Sequence, residues 1–184
     1  MGLRRGRARR ATRGRRDRVT TTRNVFTLAR EDTTMAGKYY EELTPGLVIE
    51  HSIRRTVAEY DNTLFSAITH NLAPLHLDEE YSKTTMYGGR IINSMFTLAL
   101  VCGVTVGELT QGTTMGNLGF EGVKFPNPLF PGDTVTTRTE VVERRESKKY
   151  PQAGIVTFKH VGVNQKGDIV CEATRLGLML KRPA

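Results

Sequence analysis

Four histidines, His51, His70, His76 and His160, are the side chains of this sequence best suited to moving a proton near neutral pH. No two of them stand at a two-ligand helical spacing, and Cys102 and Cys171 lie far apart in apolar surroundings, so no metal site and no disulfide framework is expected. There is no GxxxxGKS/T phosphate loop, no GxGxxG turn after a strand, no HExxH helix and no GxSxG elbow, which removes support for nucleotide-dependent and triad chemistries. What remains is the loop Thr69-His70-Asn71-Leu72-Ala73-Pro74-Leu75-His76-Leu77-Asp78. Pro74 stiffens it, and polar groups at 71 and 76 bracket an apolar stretch. A histidine placed so fits a catalytic role. It equally fits a structural hydrogen bonder, and spacing alone leaves both readings open.

The elements that must position this loop follow from periodicity. Residues 47–56 alternate after a Pro-Gly turn and read as a first strand. Residues 57–69 place Val57, Tyr60, Leu64, Phe65 and Ile68 on one face of a helix, and Asp78 is placed to cap a short helix running to Thr85. Residues 93–109 are apolar nearly all round, the pattern of a helix buried on most sides, with Gly103 and Gly107 suited to close backbone approach. Beyond it the period changes to two, and residues 114–125, 133–147, 154–164 and 168–181 read as four strands. One strand, a buried helix and four antiparallel strands describe an α+β fold in which a sheet wraps a single helix.

Length and charge set the boundaries. The chain has 184 residues and a net charge of +8, yet residues 1–34 alone hold eleven arginines, no lysine and three acids, and the remainder is neutral. Residues 1–35 therefore form a basic extension with little to bury, for which disorder is expected, and 36–184 form one domain. The extension fits a dispensable leader, with Met35 opening the domain proper. A phosphate-binding arm would want interleaved aromatics, so no nucleic-acid partner is expected. A transit peptide is the remaining functional reading, and the absence of an apolar h-region argues against a secretory signal. The longest apolar run, residues 95–101, is too short to cross a bilayer. Two thiols in apolar surroundings suit a reducing compartment, and a cytoplasmic location is expected.

At the loop the sequence resembles a family. Phe65-Ser66-Ala67-Ile68-Thr69-His70-Asn71-Leu72-Ala73-Pro74-Leu75-His76-Leu77-Asp78 is similar to the hydratase motif of the MaoC-like, hot-dog-fold enoyl-CoA hydratases, whose usual core is Asp-x-Asn-Pro-(Leu/Ile)-His. Gly88-Gly89-Arg90-Ile91-Ile92-Asn93-Ser94-Met95-Phe96-Thr97-Leu98-Ala99-Leu100-Val101 resembles the start of that family's central helix, and Phe125-Pro126-Asn127-Pro128-Leu129-Phe130-Pro131-Gly132-Asp133 its strand-connecting turn. The resemblance runs from Gly37 to the C-terminus. The Asn-Ser-x-Phe-Thr-Leu-Ala-Leu-Val run and residues 145–148 look most like the mesaconyl-CoA hydratase (β-methylmalyl-CoA dehydratase) branch, whose substrates are branched dicarboxylic acyl-CoA thioesters.

The resemblance implies a single hot-dog domain, reversible hydration of an enoyl-CoA of the mesaconyl-CoA or itaconyl-CoA type, a homodimer, and no cofactor beyond the coenzyme A of the substrate. It assigns His76 the acid/base role, with Asn71 orienting the water, and backbone N–H groups around Asn93, Ser94 and Met95 as donors to the thioester oxygen. Asn71 stands where the family carries Asp, and Ala73 where it carries Asn. A carboxamide takes no proton at neutral pH, so His76 carries the transfer or Asp78 shares it. A substrate carboxylate would be repelled by Asp but tolerated by Asn71, and Arg90 is then a candidate to bind it, with a surface ion pair as the alternative. A thioesterase or a non-catalytic hot-dog protein are the competing functions.

Overall fold

The computed structural model of the chain describes residues 37–183. The basic extension, and the disorder expected for it, lie outside the described residues. Four long strands form the body of one antiparallel sheet: β3 (Thr114–Lys124), β4 (Thr134–Glu146), β5 (Ala153–Val163) and β6 (Ile169–Leu180). Each lies within a residue or so of the segment that alternation predicts. With β1 (Val48–Glu50) the strand order is β1-β4-β5-β6-β3, so β4, β5 and β6 follow as consecutive hairpins while β3 crosses to the far edge beside β6.

The expected first strand is two short ones, β1 (Val48–Glu50) and β2 (Arg55–Thr56), both paired with β4. The break between them accompanies His51, whose ring turns into the interior. Its Nδ1 meets Glu108 Oε2 at 2.8 Å and its Nε2 meets Thr139 Oγ1 at 2.8 Å. Burying an imidazole is tolerable only with both nitrogens satisfied, and those partners hold residue 51 in this position.

The helix expected over residues 93–109 is α4 (Ser94–Gly103) followed by the single turn α5 (Val106–Leu109). α4 packs on the sheet through Leu98 and Val101 against Val135, Val170, Cys171 and Ala173. This close approach depends on Gly162 of β5, where an added Cβ would fall 2.3 Å from Val101 Cγ2, and not on Gly103, where it would meet nothing. α4 is not covered on most sides: Met95 stays 56% exposed. A second apolar cluster, Leu43, Leu109, Val141, Val156, Phe158 and Met179, fills the other end of the sheet. Among the described residues no helix is long and apolar enough to cross a membrane.

The largest departure from periodicity is α1 (Glu59–Ile68). Its apolar stripe faces outward, with Tyr60, Leu64 and Ile68 exposed, while Asp61, Asn62 and Ser66 are buried. Two of the inward side chains, Asp61 and Asn62, are held by specific partners. The Asp61 carboxylate accepts from Arg55 Nη2 at 2.9 Å and from the Ala58 N–H at 2.8 Å. Directed hydrogen bonds inside, with apolar side chains left for another surface, orient this helix more strongly than its own hydrophobic stripe.

Candidate active site

Two helix ends shape the loop between Ile68 and Glu79. α1 closes with a Schellman motif, in which the Asn71 N–H donates to Ser66 O at 3.0 Å and the His70 N–H to Ala67 O at 3.2 Å. The closing residue must be left-handed, and His70 fills that position at φ 55°. α2 (Pro74–Leu77) begins on Pro74, whose fixed φ and missing N–H suit the first helical position. Asp78 accepts from the Tyr81 N–H at 3.0 Å and caps α3 (Glu79–Lys83). Its carboxylate therefore works as a helix cap.

His76 is buried at 8% exposure. Its Nδ1 lies 3.0 Å from Ile91 O. A carbonyl only accepts, so Nδ1 carries the proton and Nε2 presents its lone pair. Nε2 makes no hydrogen bond among the described residues. The peptide of His76 is held as well: its carbonyl accepts from Asn62 Nδ2 at 2.9 Å, and the same amide donates to Ile91 O at 3.2 Å. Asn62 Oδ1 in turn accepts the Asn93 N–H at 2.9 Å. One fully buried carboxamide thus ties the histidine loop to the start of α4.

At that start Asn93 is the N-cap, its Oδ1 accepting the Met95 N–H at 3.0 Å. This engages one of the N–H groups assigned to the thioester oxygen. The Ser94 N–H keeps no acceptor among the described residues and sits at the positive end of the α4 dipole. Because Oδ1 is committed to the cap, Asn93 Nδ2 points elsewhere and is buried without a partner. Asn71 is exposed, and its side chain has only a 3.4 Å contact, from the Ala73 N–H to its Oδ1. Asn71 and Asn93 line one open depression of about 400 Å³ with Phe65, Thr69 and Met95. A second, apolar depression of about 380 Å³ shares Phe65 and Met95 with it and continues along Leu98, Ala99, Cys102, Asn117 and Phe120.

Arg90 lines neither depression. Its Nη1 meets Glu59 at 2.7 Å and its Nε meets Glu79 at 2.9 Å, which ties α1 to α3. The hydrogen bond from Arg90 holds the Glu79 carboxyl below its usual value. This is the ion-pair geometry, doubled. Asn62 is a component of the site that sequence reasoning missed; its only signal was a polar residue opposite the apolar stripe of a helix assumed to bury that stripe.

Comparison with known proteins places this architecture. Residues 41–164, two thirds of the chain, match the MaoC like domain. The chain is 29% identical over 149 residues to β-methylmalyl-CoA dehydratase of Chloroflexus aurantiacus, covering 81% of this chain and 42% of that protein. It is 27% identical over 149 residues to mesaconyl-CoA hydratase of Cereibacter sphaeroides, covering 81% and 43%. It thus spans less than half the length of these two relatives. The solved structure of the MaoC-like dehydratase from Rhodospirillum rubrum superposes with a TM-score of 0.71 at 29% identity, covering 80% of this chain and all of that one. A Mycobacterium tuberculosis protein described as having a double hot-dog fold aligns with a TM-score of 0.72 at 22% identity, a likeness of fold alone. With its sheet wrapped on α4 and its histidine loop at the head of that helix, the chain belongs to the MaoC-like family of hot-dog proteins.

Proposed function

We propose that this chain is a hydro-lyase that reversibly hydrates the double bond of an α,β-unsaturated acyl-CoA. The observation that carries the reading is the pairing of a fixed His76 tautomer, its Nε2 free, with an open donor at the head of α4. Nε2 takes a proton from water oriented by Asn71, and the water oxygen bonds to the β-carbon. The electron pair moves onto the thioester oxygen, which the Ser94 N–H stabilises at the helix N-terminus, with Asn93 Nδ2 as a further donor. The imidazolium then returns its proton to the α-carbon, so the elements of water are added and no redox change occurs. Coenzyme A enters as part of the substrate and no other cofactor is required.

The finer reading is a branched C5 dicarboxylic enoyl-CoA of the mesaconyl-CoA or itaconyl-CoA type. Asn71 supports it: an Asp held 4 to 5 Å from a substrate carboxylate would meet a repulsion of about 3 to 4 kcal/mol at an effective dielectric near 20, which a neutral amide avoids. We also propose a homodimer in a reducing, cytoplasmic setting. The stripe Tyr60, Leu64, Ile68 on α1, and Leu118 and Phe120 on the edge strand β3, are exposed apolar groups suited to burial against a second copy. The test is loss of enoyl-thioester absorbance with crotonyl-CoA and mesaconyl-CoA, alongside sedimentation of the protein. Turnover of mesaconyl-CoA by a species of twice the 20.6 kDa chain mass is expected. No turnover of either thioester would remove the hydratase reading, and a monomer at micromolar concentration the dimer.

A further inference from the structure

The head of α4 lies between two spaces. Asn93 and Met95 line the depression that also bears Asn71, and Met95, Leu98, Ala99 and Cys102 carry it along one side of the helix. Ser94 and Thr97 line a different cleft, of about 340 Å³, which they share with the turn after β3 and with residues 86–87. At 3.6 residues per turn the two sets stand about a third of a turn apart around the helix axis. Neighbouring residues at the helix head therefore open into different spaces. The groups assigned to the chemistry stand at the boundary. The Ser94 N–H has no acceptor among the described residues, and the His76 ring is anchored to the carbonyl of Ile91, which also lines the cleft.

The two walls differ in kind. Apart from Asn117, the depression beyond Met95 is lined by hydrocarbon, aromatic and thiol side chains. The cleft is mixed: Phe125, Pro126 and Leu129 are apolar, whereas Ser94, Tyr87 and Asn127 carry hydrogen-bonding groups. Asn127 Nδ2 donates to Ile169 O at 3.0 Å, which fixes the amide and leaves Oδ1 as an acceptor. A volume of about 340 Å³ is at the small end of the range for small-molecule sites, about 300 to 1,000 Å³, and suits one slender chain.

A thioester carbon at the helix head carries two substituents, the acyl chain and the coenzyme arm, and there are two spaces to receive them. We propose that the cleft between Ser94, Tyr87 and Asn127 binds the pantetheine arm of the acyl-CoA, with the acyl chain on the Asn71 side of α4. The proposal rests on the hydratase reading for the placement of the thioester at Ser94. Pantetheine is hydrocarbon interrupted by two amides, which is the alternation the cleft presents. Asn127 Oδ1 accepts from an arm N–H, the Tyr87 hydroxyl donates to an arm carbonyl, and Phe125 and Leu129 cover the methylene and methyl groups.

The test uses the full chain and saturated thioesters, which cannot be hydrated. Calorimetric titration should show butyryl-pantetheine binding at least about tenfold tighter than butyryl-N-acetylcysteamine, which lacks most of the arm. Tyr87→Ala and Phe125→Ala should each reduce that advantage at least about threefold. Both side chains are partly exposed, and either variant carries the test if the other does not fold. Equal wild-type affinities for the two thioesters, or an advantage unchanged in both variants, would overturn the assignment. So would loss of the advantage in Cys102→Trp, which fills the apolar depression, with Tyr87→Ala unaffected, since the arm would then lie on the other side of α4. An arm-dependent affinity that falls in Tyr87→Ala, without hydration of any enoyl-CoA, would support the cleft and sink the hydratase reading alone. Hydration of crotonyl-CoA with an advantage indifferent to both cleft variants would do the reverse.

Discussion

The side-chain amide of Asn62 donates to the backbone carbonyl of His76 at 2.9 Å, and the same residue accepts the Asn93 N–H at 2.9 Å. The proposed base and the head of the helix proposed to polarise the substrate therefore share one buried support. Asn62→Ala leaves the His76 carbonyl and the Asn93 N–H without partners in the interior and removes one of the two donors to Ile91 O. We expect a loss of about 2 to 4 kcal/mol in unfolding free energy, seen as a lower urea midpoint, together with a fall in kcat larger than any change in KM.

His76→Ala should reduce hydration by at least about 10²-fold, the usual worth of a positioned acid/base group, with the circular dichroism spectrum and assembly state unchanged. Asn71→Ala should cost less, because orienting a water is worth less than moving its proton. Near-normal turnover in His76→Ala would remove the mechanism.

A buried chain of hydrogen bonds makes stability pH-dependent. Glu108 accepts from His51 Nδ1, His51 Nε2 meets Thr139 Oγ1 at 2.8 Å, and the same hydroxyl meets His160 Nδ1 at 2.8 Å. Burial first, and Arg175 and His51 next, lower His160 to about 3 from an ordinary value of 6.5. The unfolded chain then binds a proton that the folded chain refuses, so this contribution is complete above pH 6.5 and is lost as pH falls toward 3. Between pH 7.5 and 4.5 it amounts to about 2 to 3 kcal/mol. His160→Gln should show a correspondingly shallower fall in urea midpoint over that interval. Parallel curves for the two proteins would contradict the argument.

His70 closes α1 in the left-handed region at φ 55°, where a side chain is strained and glycine is not. His70→Gly should raise unfolding free energy by about 0.5 to 1 kcal/mol, the strain relieved exceeding the added freedom of the unfolded chain. Thermal unfolding checks this, and a lower Tm would refute it.

Arg90→Ala removes a half-exposed double ion pair between α1 and α3. A small fall in urea midpoint is expected, shrinking in high salt, with equal effect on charged and uncharged thioesters. A selective loss of mesaconyl-CoA turnover would return Arg90 to the role of carboxylate binder.

Periodicity sufficed for the frame. Alternation of Val, Thr and Ile placed β3 to β6 within about a residue, because a sheet with one face on a helix forces period two on its strands. The Pro-containing loop marked His76 and Asn71 as the residues to examine, and Asp78 as a helix cap, since those signals are local. The tertiary structure alone decided the rest. Which way α1 turned depended on Asn62 and Asp61 finding partners 14 to 31 residues away or across a turn, and no stripe of apolar residues records such partners. Arg90 was drawn into a pair with Glu59 and Glu79 from two other helices. Arg175 became a partly buried cation, with two nitrogens sealed and unpartnered among the described residues, only when β6 placed it opposite Phe120 and Phe158. A sequence lists charges one at a time, and whether a charge is paired, buried or left free is a property of neighbours that only the folded chain brings together.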